Sequence, residues 1–147
     1  MVKQYTGEKV DVYFDPKRCV HATECVRGLS NVFDVDERPW VQPDNASEWD
    51  VVKVIERCPS GALTYERASG QPETHRETSV TMGDDGEIYM YGDFKLVHNG
   101  EVMQLNRAIL TGDASRTDNP PFYSKSFSEQ GDKARYYQAI QDEPNEN

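Results

Sequence analysis

Alternating apolar and polar side chains predict a β-strand near the start of the chain. Val10, Val12 and Phe14 occupy every second position, which is the period of a strand with one buried face. The apolar side chains from Trp49 to Cys58 instead recur at helical spacing and predict a helix with one apolar face. Pro59 ends this helix, because the residue before a proline is displaced from the helical backbone conformation.

Two shorter elements complete the first part of the chain. Residues 23–29 suit a short helix, and residues 62–65 form a strand that returns to the first one. Residues 1–68 therefore run as strand, cysteine loop, short helix, longer helix, cysteine and strand. We expect a compact α+β domain in which folding brings the cysteines together.

The chain changes character after residue 68. Residues 69–80 hold almost no apolar side chain, which is typical of a linker. Residues 81–135 contain strand-like runs on both sides of Asn99-Gly100, a dipeptide that favours a tight hairpin turn, so we expect a β-rich domain. Residues 136–147 are expected to form a frayed tail.

The charge of the chain limits its partners. The 147 residues carry a net charge of -10, which repels nucleic acid and anionic membrane surfaces and favours a basic protein partner. No apolar run is long enough to span a membrane, and the polar N-terminus lacks the apolar segment of a secretion signal. We therefore expect a reducing, cytoplasmic location, where clustered cysteines bind metal or carry out redox chemistry.

The chemistry of the chain is concentrated in its three cysteines. Cys19 and Cys25 lie close together, and the remote Cys58 is followed directly by Pro59. Thiolates are the soft, anionic ligands that iron–sulfur clusters require, and single-cluster ferredoxins combine a close set of cysteines with a remote Cys-Pro. The middle ligand position of that arrangement, three residues after Cys19, holds Ala22. These residues predict one iron–sulfur cluster on three cysteines.

The vacant ligand position at Ala22 bears on the type of cluster. Three thiolates and a methyl group favour a 3Fe-4S cluster, which has no iron at the fourth corner. A 4Fe-4S cluster needs water, a small anion or another side chain there, and His21 is the candidate side chain, one residue away from the vacancy. The alternative for His21 is a solvent-facing or hydrogen-bonding role.

Two other interpretations of the cysteines stay open. Cys19, His21, Cys25 and Cys58 supply the ligand count of a zinc site, although they lack the close cysteine pair typical of one. The cysteines could also be small, buried apolar side chains. In either case the protein would be a zinc-binding or metal-free interaction module.

Longer motifs surround the cysteines across nearly all of residues 1–68. They include Tyr13-Phe14-Asp15-Pro16-Lys17-Arg18-Cys19, Cys25-Val26-Arg27-Gly28-Leu29, Arg38-Pro39-Trp40 and Cys58-Pro59-Ser60-Gly61-Ala62-Leu63. In these motifs the chain resembles the divergent mono-cluster ferredoxin family, usually described as binding a 4Fe-4S cluster. The resemblance implies a ferredoxin-like domain with Cys19, Cys25 and Cys58 as ligands and one unusual iron corner.

A second, shorter resemblance lies in residues 84–127. The run from Gly86 to Phe94, with Arg107-Ala108-Ile109-Leu110 and Pro121-Phe122, is similar to the CDGSH domain, which holds a 2Fe-2S cluster on three cysteines and one histidine. Alignment places non-ligating residues at the ligand positions: Gly112, Ala114, Tyr123 and Phe127, or Thr111 and Asp113 at the first two. The resemblance implies a degenerate domain without a cluster, kept for structure or docking, in which Tyr123 and Phe127 fill the former cluster space.

These patterns predict a one-electron carrier that is not an enzyme. No catalytic set accompanies the cysteines, and His21, His75 and His98 are scattered in the sequence. The expected partners are redox proteins, a reductase and an acceptor, and neither nucleic acid nor membrane. Five basic residues near the cysteines could offset cluster charge, meet an acidic patch or form an ordinary solvated face: Lys17, Arg18, Arg27, Arg38 and Arg57. The alternative is a sensor of oxidant or iron, or a protein that transfers its cluster to a client.

Overall fold

The computed structural model describes residues 2–73 and 77–126. Two three-stranded antiparallel sheets and a few short helices give this part of the chain a mixed α+β fold, as predicted. The strands are β1 Lys3–Tyr5, β2 Val10–Phe14, β3 Leu63–Arg67, β4 Ser79–Met82, β5 Ile88–His98 and β6 Glu101–Leu110. The helices are α1 Glu24–Gly28 and α2 Glu48–Ile55, with short 3-10 helices at Pro43–Asn45 and Ala114–Arg116.

The first sheet has the order β1-β2-β3, with the predicted alternating strand at its centre. In its register Val10 faces Arg67 and Phe14 faces Leu63, so the strand predicted to return does pair with β2. The apolar core of this half consists of Val10, Val12, Val32, Phe33, Val41, Val51, Val52, Val54, Ile55 and Leu63. The sheet and α2 together support the loops that carry the cysteines.

Helix α2 differs from the prediction at its C-terminal end and in the exposure of Trp49. It stops at Ile55, and Cys58 lies in the turn that follows rather than on the helix. Trp49 is 60% exposed, so its predicted place on the apolar face is wrong. The reason is geometric: Trp49 precedes the buried Val51 by about half a helical turn. Its ring instead packs below the Nζ atom of Lys53, 5.6 Å from the ring centroid.

The second sheet has the order β4-β5-β6. Strands β5 and β6 form the predicted hairpin, and both Asn99 and Gly100 at its turn have positive φ angles. Strand β4 begins at Ser79, inside the range predicted to be a linker. We refer to residues 77–126 as the C-terminal unit.

Some predictions are not decided by this structure. The division into domains at residues 1–68, 69–80, 81–135 and 136–147 stays a prediction. His75, Phe127 and the tail over residues 136–147 lie outside the described residues.

A second, smaller core joins the C-terminal unit to the cysteine region. Val20 and Ala22, from the loop before α1, are buried together with four residues of the C-terminal unit: Tyr89, Tyr91, Ile109 and Tyr123. The loop that carries Cys19 therefore packs against the C-terminal unit, while its two ends continue from β2 and into α1.

Candidate functional site

The three cysteines, predicted from sequence to act together, line a single cavity of about 600 Å³. Cys19 lies in the loop after β2, Cys25 in α1 and Cys58 in the turn after α2. All three thiols are free and partly buried. Folding thus brings together side chains that are up to 39 positions apart in the sequence, the distance from Cys19 to Cys58. His21 and Ala22 line the same cavity.

The cysteine loop, residues 19–25, reverses direction through unusual backbone conformations. His21 and Thr23 have φ angles of 57° and 64°, in the left-handed region that residues other than glycine seldom occupy. The reversal lets the backbone N–H of His21 donate to the Cys19 sulfur at 3.4 Å. Backbone N–H groups gathered in such turns favour anions, including iron–sulfur clusters.

The Cys58 turn, residues 58–63, is held by short-range hydrogen bonds. The Cys58 N–H donates to the carbonyl of Ile55 at 2.9 Å, and the Gly61 N–H donates to the carbonyl of Cys58 at 3.3 Å. The Ser60 hydroxyl lies 3.6 Å from the Cys58 sulfur and accepts a hydrogen bond from the Ala62 N–H at 3.2 Å. Ser60 therefore supplies a polar contact to one of the three thiols.

Burial keeps two of the thiols protonated in the metal-free protein. It raises the pKa of Cys25 to about 12, and the nearby Cys58 charge adds to the effect. The pKa of Cys19 is also raised, again mainly by burial. Thiolate is the form that binds metal, so cluster binding must release these protons. The free energy of binding must also offset the cost of burying charged thiolates.

Two arginines bring positive charge close to Cys58. The Arg107 guanidinium donates to the Cys58 carbonyl at 2.7 Å, and Arg18 donates to the Ser60 carbonyl at 2.8 Å. Burial lowers the pKa of Arg18 to about 10, which leaves it charged at neutral pH. Burial alone would lower the pKa of Arg107, but the hydrogen bonds and charge of Glu73 outweigh this and raise it.

The other basic residues predicted to flank the site differ in position. Arg38 lines the cavity, although its guanidinium donates to the carbonyls of Val35 and Glu37 at 2.8 Å. Arg27 and Arg57 are exposed and each lie 3.9 Å from Glu24 in ion pairs. Lys17 is exposed at the surface. Of these five basic residues, Arg18 is the one whose guanidinium contacts the C-terminal unit, at the Arg107 carbonyl and the Phe122 ring.

The vacant position is buried and apolar. Ala22 is only 8% exposed and packs in the core shared with Val20 and Tyr89. His21 is exposed at the cavity, and its Nδ1 atom lies 4.0 Å from the Cys19 sulfur. The imidazole is thus in hydrogen-bonding contact with one predicted ligand, while a methyl group occupies the position of the missing one.

The cysteines do not converge on a single ion. Among residues 2–73 and 77–126, no group of three or more histidine, cysteine or acidic side chains is close enough to hold one metal ion. Three free thiols around a cavity of this size, with N–H donors and positive charge nearby, fit a larger thiolate-bound group such as an iron–sulfur cluster.

Comparison with known proteins agrees with this chemistry. A family model described as "Divergent 4Fe-4S mono-cluster" matches residues 5–68. Two relatives named "Uncharacterized protein YjdI", from Escherichia coli (strain K12) and Escherichia coli O157:H7, are each 52% identical over 61 residues, which is 42% of this chain and 80% of the relative. The chain belongs to the divergent 4Fe-4S mono-cluster family. No solved structure gives a significant match.

Membership of this family gives the class of the protein. The chain contains an iron–sulfur mono-cluster domain of the 4Fe-4S type, and the match indicates a small iron–sulfur protein rather than an enzyme. All three cysteines fall within the matched residues 5–68. The C-terminal unit lies outside that range. None of the described helices is long and apolar enough to cross a membrane.

Sequence reasoning missed several residues that shape the site. In the sequence Arg107 stands only within a short motif, Glu73 lies in the predicted linker, and Gly61 is one residue of the Cys58-Pro59-Ser60-Gly61 motif. Trp40 lines the cavity, and its ring meets those of Tyr5, Phe14 and Phe33 at centroid distances of 6.3, 5.1 and 5.9 Å. A charged residue beside the apolar run Ala108-Ile109-Leu110 is the one signal for Arg107 in the sequence.

Proposed function

We propose that this protein is a one-electron carrier that binds one iron–sulfur cluster through Cys19, Cys25 and Cys58. The observation that carries the proposal is that these three thiols, which are distant in sequence, line one cavity. When bound, such a cluster supplies a centre that accepts and releases a single electron. The electron comes from a reductase, which is oxidised by one electron, and leaves to an acceptor protein, which is reduced by one.

The surroundings of the thiols support this role. The His21 N–H and the Ser60 hydroxyl contact two of the ligand sulfurs, and hydrogen bonds to sulfur raise the reduction potential of a cluster. Arg18 and Arg107 place positive charge beside Cys58, which stabilises the more negative, reduced state. The protein thereby favours uptake of an electron.

The number of irons follows from the fourth corner. The family description favours four, whereas three thiols and the buried methyl group of Ala22 favour 3Fe-4S, the form we propose for the oxidised protein. The 4Fe-4S form is the alternative and requires water, a small anion or His21 at that corner. The contact between His21 Nδ1 and the Cys19 sulfur favours a hydrogen-bonding role over ligation for His21.

The charges at the cavity suggest how a redox partner is recognised. Lys3 and Arg38 line the cavity within a chain of net charge -10, and both complement an acidic patch on a reductase or acceptor. The acidic remainder of the surface disfavours nucleic acid and anionic membranes. A cytoplasmic location remains part of the proposal, because three unpaired thiols suit a reducing compartment.

We also propose that the C-terminal unit is a degenerate CDGSH-like domain without a cluster of its own. No cysteine follows Cys58 in the sequence. Among the aligned ligand positions, Tyr123 and Thr111 are buried, while Gly112, Asp113 and Ala114 are exposed. The Tyr123 hydroxyl donates to Asp85 at 2.8 Å, so its ring fills space in the second core and its polar end has a partner.

Anaerobic purification with iron, sulfide and zinc analysis, followed by visible and EPR spectra, tests the proposed function. We expect a coloured protein. An EPR signal in the oxidised protein would indicate a 3Fe-4S cluster, whereas a signal that is absent in the oxidised protein and emerges on reduction would indicate a 4Fe-4S cluster. Cys58→Ser should abolish the colour, whereas the neighbouring Ser60→Ala should keep it. A colourless protein with zinc would overturn the carrier function, and colour that survives Cys58→Ser would overturn the ligand set.

Redox cycling separates the carrier from the alternative functions. Repeated reduction with dithionite and reoxidation by a redox protein should leave the iron content unchanged. Loss of iron on each cycle would contradict electron transfer and favour the sensor or cluster-transfer function.

A further inference from the structure

We propose that the C-terminal unit is a clamp on the iron–sulfur site, and that Arg107 is the positioning residue that fixes the Cys58 turn. This inference rests on the proposed function, since it concerns the same three thiols. It assigns a task to the part of the chain that lies outside the family match.

Arg107 reaches the Cys58 turn from strand β6. Its side chain is 1% exposed, and its guanidinium donates to the Cys58 carbonyl at 2.7 Å and to the Leu63 carbonyl at 2.8 Å. These two carbonyls mark the ends of the Cys58 turn. One rigid, planar group therefore sets the distance between them and with it the direction of the Cys58 backbone.

Glu73 allows this guanidinium to be buried. Its carboxylate accepts from Arg107 Nε at 2.9 Å and from Nη2 at 3.0 Å, and its side chain is 7% exposed. Desolvating an ion pair costs as much as the pairing returns in many proteins, so a buried pair is weak evidence for stability. Its geometry, with the remaining donors aimed at the ligand turn, is better explained by positioning.

Arg18 forms a second link between the halves. Its Nη2 atom donates both to the Ser60 carbonyl at 2.8 Å and to the Arg107 carbonyl at 2.9 Å. The guanidinium also stacks over the ring of Phe122, 4.4 Å from its centroid. The Cys58 turn is thus tied to strand β6 at its centre as well as at its ends.

The cysteine loop is held by the same unit from behind. Val20 and Ala22 are buried against Tyr89, Ile109 and other residues of the second core. None of the described residues of the C-terminal unit is among those that line the cavity. The unit therefore contacts the outer side of both ligand segments and leaves the thiol side open.

A clamp built on an ion pair makes a prediction that simple stabilisation does not. Removing Glu73 leaves the positive charge of Arg107 uncompensated near the cluster, which favours the reduced state. Removing Arg107 takes its positive charge away from the Cys58 turn, which disfavours the reduced state. Glu73→Gln and Arg107→Met should therefore shift the midpoint potential in opposite directions, the first upward and the second downward, although both disturb the same contact.

Three variants and a control test this with the full chain. Arg107→Met, Glu73→Gln and Arg107→Lys are compared with Arg116→Met. This control removes another arginine of the C-terminal unit, whose guanidinium donates to Asp85 at 2.9 Å and to Ser115 at 3.1 Å. The readouts are iron per chain, midpoint potential, and hydrogen exchange of the Gly61 and Ala62 amides in the metal-free protein.

We expect exchange at these two amides to be about tenfold faster or more in Arg107→Met, because hydrogen bonds from a charged donor are lost. Arg107→Lys keeps the charge but not the planar fork, so its potential should stay near that of the wild type while exchange accelerates. Arg116→Met should change neither quantity.

The result that overturns the clamp is equal behaviour of all four variants in exchange and potential, or a shift of Glu73→Gln and Arg107→Met in the same direction. If Arg107→Met does not fold, Arg107→Lys and Glu73→Gln still decide the matter. A wild-type protein without a cluster refutes the proposed function instead, and the exchange measurement then tests the clamp by itself.

Discussion

Gly61 and Arg107 are packed so closely that a β-carbon on Gly61 would lie 2.3 Å from the Arg107 carbonyl oxygen. The same carbon would lie 2.5 Å from the Arg18 guanidinium. Gly61 also has a φ angle of +72°, a conformation that disfavours any other residue. The contact between the Cys58 turn and strand β6 therefore requires glycine for two separate reasons.

Gly61→Ala should destabilise the protein more than Gly70→Ala. Gly70 shares the left-handed conformation, at φ +81°, but nothing lies within 4 Å of its would-be β-carbon. Both variants incur about 1–2 kcal/mol for the backbone conformation. Overpacking should add about 1–3 kcal/mol at Gly61 only. Urea unfolding of both metal-free variants measures the difference, and equal stabilities would contradict the close packing.

Ala22→Cys should supply the missing fourth thiol. Ala22 lines the cavity and stands at the vacant position, so a thiolate there completes the ligand set for a 4Fe-4S cluster. We expect the EPR signal of the oxidised protein to disappear and a signal to emerge on reduction. Thr23→Cys, one residue away and also at the cavity, is the control and should leave the spectrum unchanged. A wild-type spectrum in Ala22→Cys would show that the corner is already filled or out of reach.

His21→Gly should lower the midpoint potential of the cluster. The change removes the imidazole that lies 4.0 Å from the Cys19 sulfur, and hydrogen-bonding contacts to sulfur raise the potential of a cluster. Glycine tolerates the φ angle of 57° at this position. The backbone N–H bond to Cys19 is kept, so the change isolates the side chain. His98→Gly, at the end of β5, should have no effect on the potential. Loss of the cluster in His21→Gly would instead identify His21 as a ligand.

The metal-free protein should lose stability at high pH through Cys25. Its pKa is raised from an ordinary 9.0 to about 12, so the folded state holds the proton more tightly than the unfolded state does. The stabilisation is therefore complete below pH 9 and is lost as the pH rises towards 12. Unfolding of the wild type and of Cys25→Ala across this range, without metal, measures it. The variant should show a smaller decline, and identical slopes would disprove the burial effect.

Removal of iron should increase the fluorescence of Trp40. Trp40 lines the cavity, where a strongly absorbing cluster quenches its emission, whereas Trp49 is 60% exposed and lies on the outer side of α2. A Trp49→Phe background makes Trp40 the reporter, and chelation under anaerobic conditions should raise its emission. The reciprocal Trp40→Phe variant should show a smaller change. An equal change in both would place the cluster elsewhere.

The parts of the fold that sequence predicted well are those encoded over short distances. The two-residue period of Val10, Val12 and Phe14 predicted β2, and Asn99-Gly100 predicted the β5–β6 turn. The shared location of Cys19, Cys25 and Cys58 followed from ligand chemistry and spacing. Their role as ligands stays a prediction that the spectra will decide.

The packing between the two halves could not be predicted in the same way. Arg107 and Cys58 are 49 residues apart, and no local period links a strand residue to a distant carbonyl. A charged residue in an otherwise apolar stretch is compatible with an edge, a surface or a buried pair. Trp49 is a different case, because its position about half a helical turn before Val51 places it away from the buried face of α2.

The clamp contacts also set an order of events during synthesis. Chains leave the ribosome from the N-terminus, and N-terminal segments fold first. All three thiols precede Arg107, whose guanidinium joins both ends of the Cys58 turn. Until residue 107 has emerged, the Cys58 turn of a nascent chain lacks its hydrogen bonds to Arg107. Iron that binds before that point therefore binds thiols whose backbone is not yet held by the clamp, whereas iron that binds afterwards binds thiols already held in position.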